Sequence, residues 1–273
     1  MSGGWRGWRK FIVKSKTVES QGGANITSFE MVPQDGGAVP AYHPGQYTTV
    51  LAQVPASGEF PACKQPRQYS LSKAADGKSF RITVKREDPR GAQTCPVMGN
   101  HAPSPAGRVS TLLHQTLQEG SVVELAPPFG EFHLDPKAST PVVLLAGGVG
   151  LTPMLAMAEA ATAGGRGVTF LYAVESGAHH PMKKWLQMQV KPNFAARVWY
   201  RTPSEEDKLG EDYHVKGVMD LKAMPKEQLL LKDADYYLCG PASFMSKQMA
   251  VLKELGVPAA KIHAEAFGTG MPN

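Results

Sequence analysis

Val142-Val143-Leu144-Leu145-Ala146-Gly147-Gly148-Val149-Gly150-Leu151-Thr152-Pro153 is the stretch on which the fold turns. Its first five residues form an unbroken apolar run, the mark of a strand buried on both faces. Thr152 reads as an N-cap and Pro153 as a residue of a first helical turn. The helix is expected over Met154–Ala163, with Gly164-Gly165 stopping it. Strand, glycine turn and helix start together make the geometry that holds the pyrophosphate of a dinucleotide. The spacing is not Gly-x-Gly-x-x-Gly, and a tight turn in an ordinary α/β fold is the plainer reading of the same residues.

Downstream, Val168–Val174, Ala196–Tyr200, Asp235–Cys239 and Ile262–Ala264 read as strands, and Ser243–Leu255 as a helix ended by Gly256. Strands alternating with helices predict a parallel sheet with helices on both faces. Ligands bind such sheets beyond the carboxyl ends of the strands. Gly147–Gly150, Cys239-Gly240-Pro241 and Glu265–Gly268 all follow strands, so they are placed to converge on one crevice.

Upstream the period changes. Lys10–Lys14, Ile26–Met31, Tyr47–Ala52, Phe80–Arg86 and Ser121–Ala126 are short, β-prone and separated by Gly/Pro/Asp clusters, as in an antiparallel barrel. Arg67-Gln68-Tyr69-Ser70 lies in a further strand after the turn residue Pro66. Alternation sends Arg67 and Tyr69 to one face and Gln68 and Ser70 to the other. A guanidinium beside a phenol suits a ligand with a phosphate and a flat ring; a solvated face is the plainer alternative. Val109–Leu117 has helical spacing and follows Gly107-Arg108. Its first amides make either a phosphate site or an ordinary capped helix. Asp88–Ala106 reads as a surface excursion; Cys95 and His101 within it do not make a zinc site. His114 reads as a surface or core histidine.

A length of 273 residues suggests two domains, which we divide at 1–137 and 138–273. The formal charge of +5 comes without a dense Lys/Arg run. That favours a basic face for an anionic cofactor over nucleic-acid binding. Three cysteines without close pairing argue against a disulfide scaffold and for a reducing, cytoplasmic setting. They also exclude a four-cysteine iron–sulfur cluster, and no metal site is expected. Trp5, Arg6, Trp8 and Arg9 open the chain without the apolar run of a signal peptide. No stretch approaches the ~18 apolar residues of a membrane span.

In this order, Arg67-x-Tyr69-Ser70, Gly107-x-Val109-Ser110, Gly147–Pro153 and Cys239-Gly240-Pro241 resemble the flavin and nicotinamide motifs of the ferredoxin–NADP reductase superfamily. The chain is more similar still to the reductase half of flavohaemoglobins, the nitric oxide dioxygenases. Pro44-Gly45-Gln46-Tyr47, Val84-Lys85-Arg86-Glu87, Trp199-Tyr200-Arg201, Tyr237–Pro241 and Ile262-His263-x-Glu265-x-Phe267-Gly268 carry that closer likeness. It covers about Trp8 to Gly268. Three departures stand out. The family's N-terminal globin has no counterpart here, and the chain begins about where the globin's connection would end, so haem chemistry does not carry over. The Asp88–Ala106 loop looks longer, and Ala266 stands where many relatives have cysteine.

The resemblance implies FAD on the barrel and NADH, with NADPH as the variant, on the α/β domain. By motif, Arg67 would hold the flavin pyrophosphate with amides near Gly107, Val109 and Ser110. Tyr69 would pack on the ring and Ser70 would reach its N5 side. Gln46, Tyr47, Gln68 and Lys85 would line it. Gly147, Gly148, Val149, Gly150, Leu151, Thr152 and Pro153 would hold the nicotinamide dinucleotide. Cys239, Gly240 and Pro241 would lie near its nicotinamide. Phe267 would cover the flavin, flanked by Ala266, Gly268 and Thr269, while Glu265 would tune its potential. Glu175, which follows the second strand, is expected to favour the free ribose hydroxyls of NADH, and Arg201 is the rival that would accept a 2′-phosphate. Ser70, Cys239, Glu265 and Phe267 form the expected reacting end. The expectation is a monomeric FAD-dependent NADH reductase that passes electrons to a haem globin or another one-electron acceptor. A free-standing flavin, ferric or quinone reductase is the rival enzyme, and a nucleotide-binding regulatory module the rival of another class.

Overall fold

The computed structural model describes residues 4–20, 25–56, 61–89, 93–95, 99–101 and 105–267. The first half holds β1 (Arg9–Ser20), β2 (Ile26–Pro33), β3 (Tyr47–Val54), β4 (Cys63–Ser70), β5 (Phe80–Lys85), a hairpin of β6 (Gln93–Cys95) and β7 (Gly99–His101), helix α1 (Arg108–Thr116) and β8 (Val122–Leu125). Six strands form one sheet in the order β4-β3-β8-β1-β2-β5, and every pair in it is antiparallel. Its outer strands meet at a Leu71–Ile82 bridge, and the Ser72 N–H donates to the Arg81 carbonyl at 2.8 Å. The sheet therefore closes on itself at that corner, in the manner of the expected barrel. Along β5, Phe80, Ile82 and Val84 enter the core with Phe11, Phe29 and Leu125, while Arg81, Thr83 and Lys85 point the other way. Each large apolar side chain so buried is worth about 1.5–3 kcal/mol. Helix α1 adds Val109 and Leu113 to the same cluster, and Leu117 just beyond it joins them.

Four local expectations change. Strand β1 runs on to Ser20, because the polar residues after Lys14 keep pairing with β2 through Lys16↔Phe29 and Val18↔Thr27. Pro66 lies inside β4 rather than before it. The position is tolerated because β4 is an edge strand, paired only with β3, where a missing N–H need not break a ladder. The surface excursion contains the β6–β7 hairpin. Thr152 does not cap a helix: the helix already starts at Leu151 and the buried Thr152 hydroxyl donates to the Val149 carbonyl at 3.2 Å.

The second half runs through β9 (Val142–Gly147), a 3-10 turn (Gly148–Gly150), α2 (Leu151–Ala163), β10 (Val168–Val174), α3 (Lys183–Gln187), β11 (Phe194–Tyr200), β12 (Val215–Lys216), α4 (Lys226–Leu229), β13 (Asp235–Gly240), α5 (Ala242–Glu254) and β14 (Ile262–Ala266). All its strand pairs are parallel, in the order β12-β11-β10-β9-β13-β14. Strand β9 is buried throughout. Val142, Leu144 and Ala146 face the cluster of α2, and Val143 and Leu145 face that of α5. The sheet order reverses between β9 and β13, and a ligand crevice belongs at their carboxyl ends. Phe132 and Leu134 leave the barrel and bury in the α2 cluster. Among the described residues no helix is long and apolar enough to cross a membrane.

Candidate functional site

A cavity of about 560 Å³ opens where the two halves meet. The barrel contributes Tyr47 from β3 and the whole of Arg67-Gln68-Tyr69-Ser70 from the end of β4. The cavity thus takes in all four residues, not one face of the strand. Strand β5 adds Thr83 and Lys85, and the start of α1 adds Gly107, Val109 and Ser110. The α/β half closes the space with Val149 and Thr152, and the end of β14 brings Glu265, Ala266 and Phe267. Glu87, Arg108 and Thr83 also line it, and the sequence reading gave none of them a role there. Thr83 was findable, because it sits two residues before Lys85 on the same face of β5.

The barrel wall suits an anion and a ring. The Arg67 guanidinium donates at 2.8 Å to the neighbouring Pro66 carbonyl and also meets the Gln65 side-chain amide oxygen, and it has no carboxylate partner among the described residues. Gly107 stands at the N-cap of α1 with no side-chain cap, and the Val109 and Ser110 amides of such a helix start suit an anion. A Cβ on Gly107 would lie 2.7 Å from the Ser110 hydroxyl, which instead accepts from the Glu87 N–H at 3.1 Å. Burial pushes the Tyr69 phenol up to about 12, against the opposing pull of Arg67. It therefore stays neutral, with a ring face to offer. Lys85 pairs with Glu87 at 3.3 Å. Gln46 is placed otherwise: its amide bridges the His43 N–H at 2.9 Å and the Gly130 carbonyl at 3.2 Å, tying two loops below Tyr47.

The opposite wall is a meeting of backbones. Gly148 has φ +54°, in the left-handed region that glycine adopts without strain. A Cβ on Gly150 would run into the Cys239 carbonyl, so glycine lets the turn lie against the end of β13. Gly147 and Gly240 sit side by side under the Phe244 ring. Leu151 and Pro153 are buried in the first turn of α2, and Pro241 caps α5. In the β13–β14 register Cys239 stands opposite Glu265. Burial raises the Cys239 thiol well above its ordinary value, with a further push from Glu265. Burial alone lifts the Glu265 carboxyl to about 7.

Glu175 and Arg201 lie outside the cavity, beyond the ends of β10 and β11. Arg201 Nη1 is 3.9 Å from Glu175 Oε2, and the Thr202 hydroxyl donates to Glu175 Oε1 at 2.7 Å. Gly268 and Thr269 fall outside the described residues.

Comparison with known proteins agrees with this geometry. The oxidoreductase NAD-binding domain family matches residues 144–249. The flavohemoprotein of Bordetella pertussis (strain Tohama I) is 46% identical over 273 residues, covering 98% of this chain and 62% of its own length. The chain thus spans less than two thirds of such relatives. The crystal structure of the flavohem-like FAD/NAD binding domain of nitric oxide dioxygenase from Vibrio cholerae O1 biovar El Tor superposes with a TM-score of 0.78 at 37% identity, covering 96% of this chain and 99% of that one. Flavohemoglobin from Malassezia yamatoensis, with bound FAD and heme, shares the fold at a TM-score of 0.73 and 23% identity, over 96% of this chain and 60% of that one.

Proposed function

Since the chain belongs to the family of flavohaemoprotein FAD/NAD-binding domains, within the ferredoxin–NADP reductase superfamily, we propose that it is an FAD-dependent NADH oxidoreductase whose electrons leave singly to a haem globin. The observation that carries the reading is the single cavity shared by the Arg67–Ser70 wall, the uncapped start of α1 and the Glu265–Phe267 end of β14.

In this reading residues 1–137 hold FAD and 138–273 hold NADH. Arg67 and the Val109 and Ser110 amides take the flavin pyrophosphate by charge-assisted hydrogen bonds. Tyr69 packs against the ring, Ser70 lies at its reactive edge, and Tyr47, Gln68 and Lys85 complete the wall. The Gly147–Pro153 turn takes the pyrophosphate of NADH at the start of α2, and Cys239, Gly240 and Pro241 border its nicotinamide. Phe267, beside Ala266, would cover the ring face, and Gly268 and Thr269 follow it in the sequence. Once bound, the cofactors supply hydride and one-electron chemistry; the protein supplies alignment and excludes water. A cytoplasmic setting, resting on cysteine usage, and a monomeric state complete the reading.

The test is direct. Protein purified with FAD is reduced anaerobically by NADH and then mixed with a ferric globin, a free ferric complex or a quinone. Faster reoxidation by the globin is expected. Faster reoxidation by the other acceptors would make it a free-standing reductase. A protein that takes up no FAD, or is not reduced by NADH, would remove the reading altogether.

A further inference from the structure

Glu159 lies in α2 and takes no part in the cavity, yet its carboxylate joins the two halves of the molecule. Its Oε2 accepts the Ala74 backbone N–H at 2.8 Å. Its Oε1 accepts the Trp185 indole N–H at 3.1 Å and lies 3.5 Å from Arg81 Nη2. Ala74 and Arg81 belong to the barrel, and Trp185 belongs to α3. We propose that Glu159 is a positioning residue: a clamp that holds α2 against the barrel and so sets the alignment of nicotinamide over flavin. The inference rests on the reductase reading above.

Both barrel partners are fixed to the cavity wall. Ala74 follows Ser70 by four residues, in a loop tied down by several hydrogen bonds. The Lys73 ammonium there reaches Asp76 at 2.7 Å, the Ser79 hydroxyl at 2.9 Å and Glu30 at 3.3 Å. The Tyr42 hydroxyl donates to the Lys73 carbonyl at 2.7 Å. Arg81 precedes Thr83 by two residues on the same face of β5. Its guanidinium donates to the Ser72 carbonyl and, at 3.2 Å, to the Ser72 hydroxyl. That hydroxyl lies 2.8 Å from the Thr83 hydroxyl, which lines the cavity. A continuous chain of hydrogen bonds therefore runs from Glu159 through Arg81 and Ser72 to the wall where flavin would sit.

On the other side, Glu159 stands two turns along α2 from Thr152, about 10 Å by helical rise. The helix is a rigid lever between the clamp and the turn that would hold NADH. The halves also meet through apolar packing, as where Gly45 approaches the Met157 side chain and the Phe132 ring packs against Tyr237. Such contacts are not directional and permit sliding, and two domains of one chain move relative to each other by default unless something opposes it. Hydrogen bonds to one carboxylate have preferred angles and oppose that slide. Trp185 sits on the same side as Glu159, so its bond to the carboxylate does not cross the joint.

The experiment uses the FAD-loaded protein and stopped-flow reduction by NADH. Glu159→Ala should lower the limiting rate of flavin reduction by about tenfold to a hundredfold, the scale expected for a displacement near 1 Å at the reacting centre. NADH affinity, FAD content and melting temperature should stay near wild type, and the nicotinamide–flavin charge-transfer absorbance should weaken. Trp185→Phe, which leaves the joint intact, should keep the wild-type rate. Glu159→Gln keeps an acceptor for Ala74 and loses the charge facing Arg81, so it should fall between. A wild-type rate and charge-transfer band in Glu159→Ala would overturn the clamp. If Glu159→Ala does not yield folded holoprotein, Glu159→Gln decides: a reduced rate at full FAD content supports the clamp, and an unchanged rate overturns it. Failure of the unmodified protein to bind FAD or accept hydride would instead strike the reductase reading beneath it.

Discussion

Glu265 is a cavity residue whose charge changes near neutral pH. Burial raises its carboxyl from 4.5 to about 7, so it is neutral below that pH and charged above. A carboxylate in the cavity wall opposes the negative charge that hydride brings to the ring. Flavin reduction by NADH is therefore expected to slow as pH rises through about 7, and Glu265→Gln to flatten the profile; stopped-flow measurements across neutral pH check this. Stability carries the same sign. Below the unfolded value both states bind the proton and nothing is lost. As pH rises toward 7 the unfolded chain releases its proton first, so stability falls. Melting temperature should drop across that window, and less so in Glu265→Gln. Arg67 acts by a different term. Its guanidinium is exposed and has no carboxylate partner among the described residues, so its worth lies in the ligand. Arg67→Ala should weaken FAD binding by about 1.5–3 kcal/mol, the range for a charge-assisted hydrogen bond, with little change in melting temperature of the apoprotein. Titration of apoprotein with FAD measures both.

At the scale of elements, the ends of β10 and β11 are the proposed place where NADH is told from NADPH. Glu175 follows one strand and Arg201 the other, and they meet at 3.9 Å. Both side chains are well exposed, and an ion pair of that kind contributes little by itself. The Thr202 hydroxyl holds the carboxylate in place at 2.7 Å. The two loops are joined again by Asp207, which accepts from the Gly177 and Ser204 N–H groups at 3.1 and 2.8 Å. A 2′-phosphate arriving here meets a fixed carboxylate before a free cation. At ~4 Å that repulsion is on the order of 1 to 4 kcal/mol, depending on screening. A higher kcat/KM for NADH than for NADPH is the expected outcome, and Glu175→Ala should narrow the gap. Equal efficiencies in the unmodified protein would set Glu175 aside, and a preference for NADPH would point to Arg201 as the phosphate clamp.

At the scale of the whole molecule, the cavity is a shared boundary. Its walls come from the barrel and from the α/β half, so a ligand filling it stabilises both at once. Stabilisation by a ligand that binds only the folded state grows as RT ln(1 + [L]/Kd), about 2.7 kcal/mol at a hundredfold excess over Kd. Removing FAD should therefore lower the melting temperature by several degrees, and adding it back should restore the holoprotein value with a dependence on FAD concentration. Differential scanning fluorimetry of apoprotein with graded FAD tests this. A melting temperature indifferent to FAD would mean that the cavity does not hold it.

What the sequence determined by itself was local. The apolar run Val142–Ala146 required burial on both faces, and β9 lies between two clusters. The glycines after it required a close turn, and Gly150 meets the Cys239 carbonyl. Alternation along Phe80–Lys85 separated core from wall. Periodicity and turn chemistry are written in neighbouring residues, so one chain displays them. The tertiary structure decided whatever depends on residues far apart. Pro66 was legible as a turn residue, and only the edge position of β4 made room for it inside a strand. Gln46 read as part of the cavity wall, and its amide instead ties the loops at His43 and Gly130. Glu159 looked like any polar residue on a helix, because its partners Ala74 and Arg81 stand 85 and 78 positions away. The charge state of Glu265 follows from burial, and burial is a property of the folded whole.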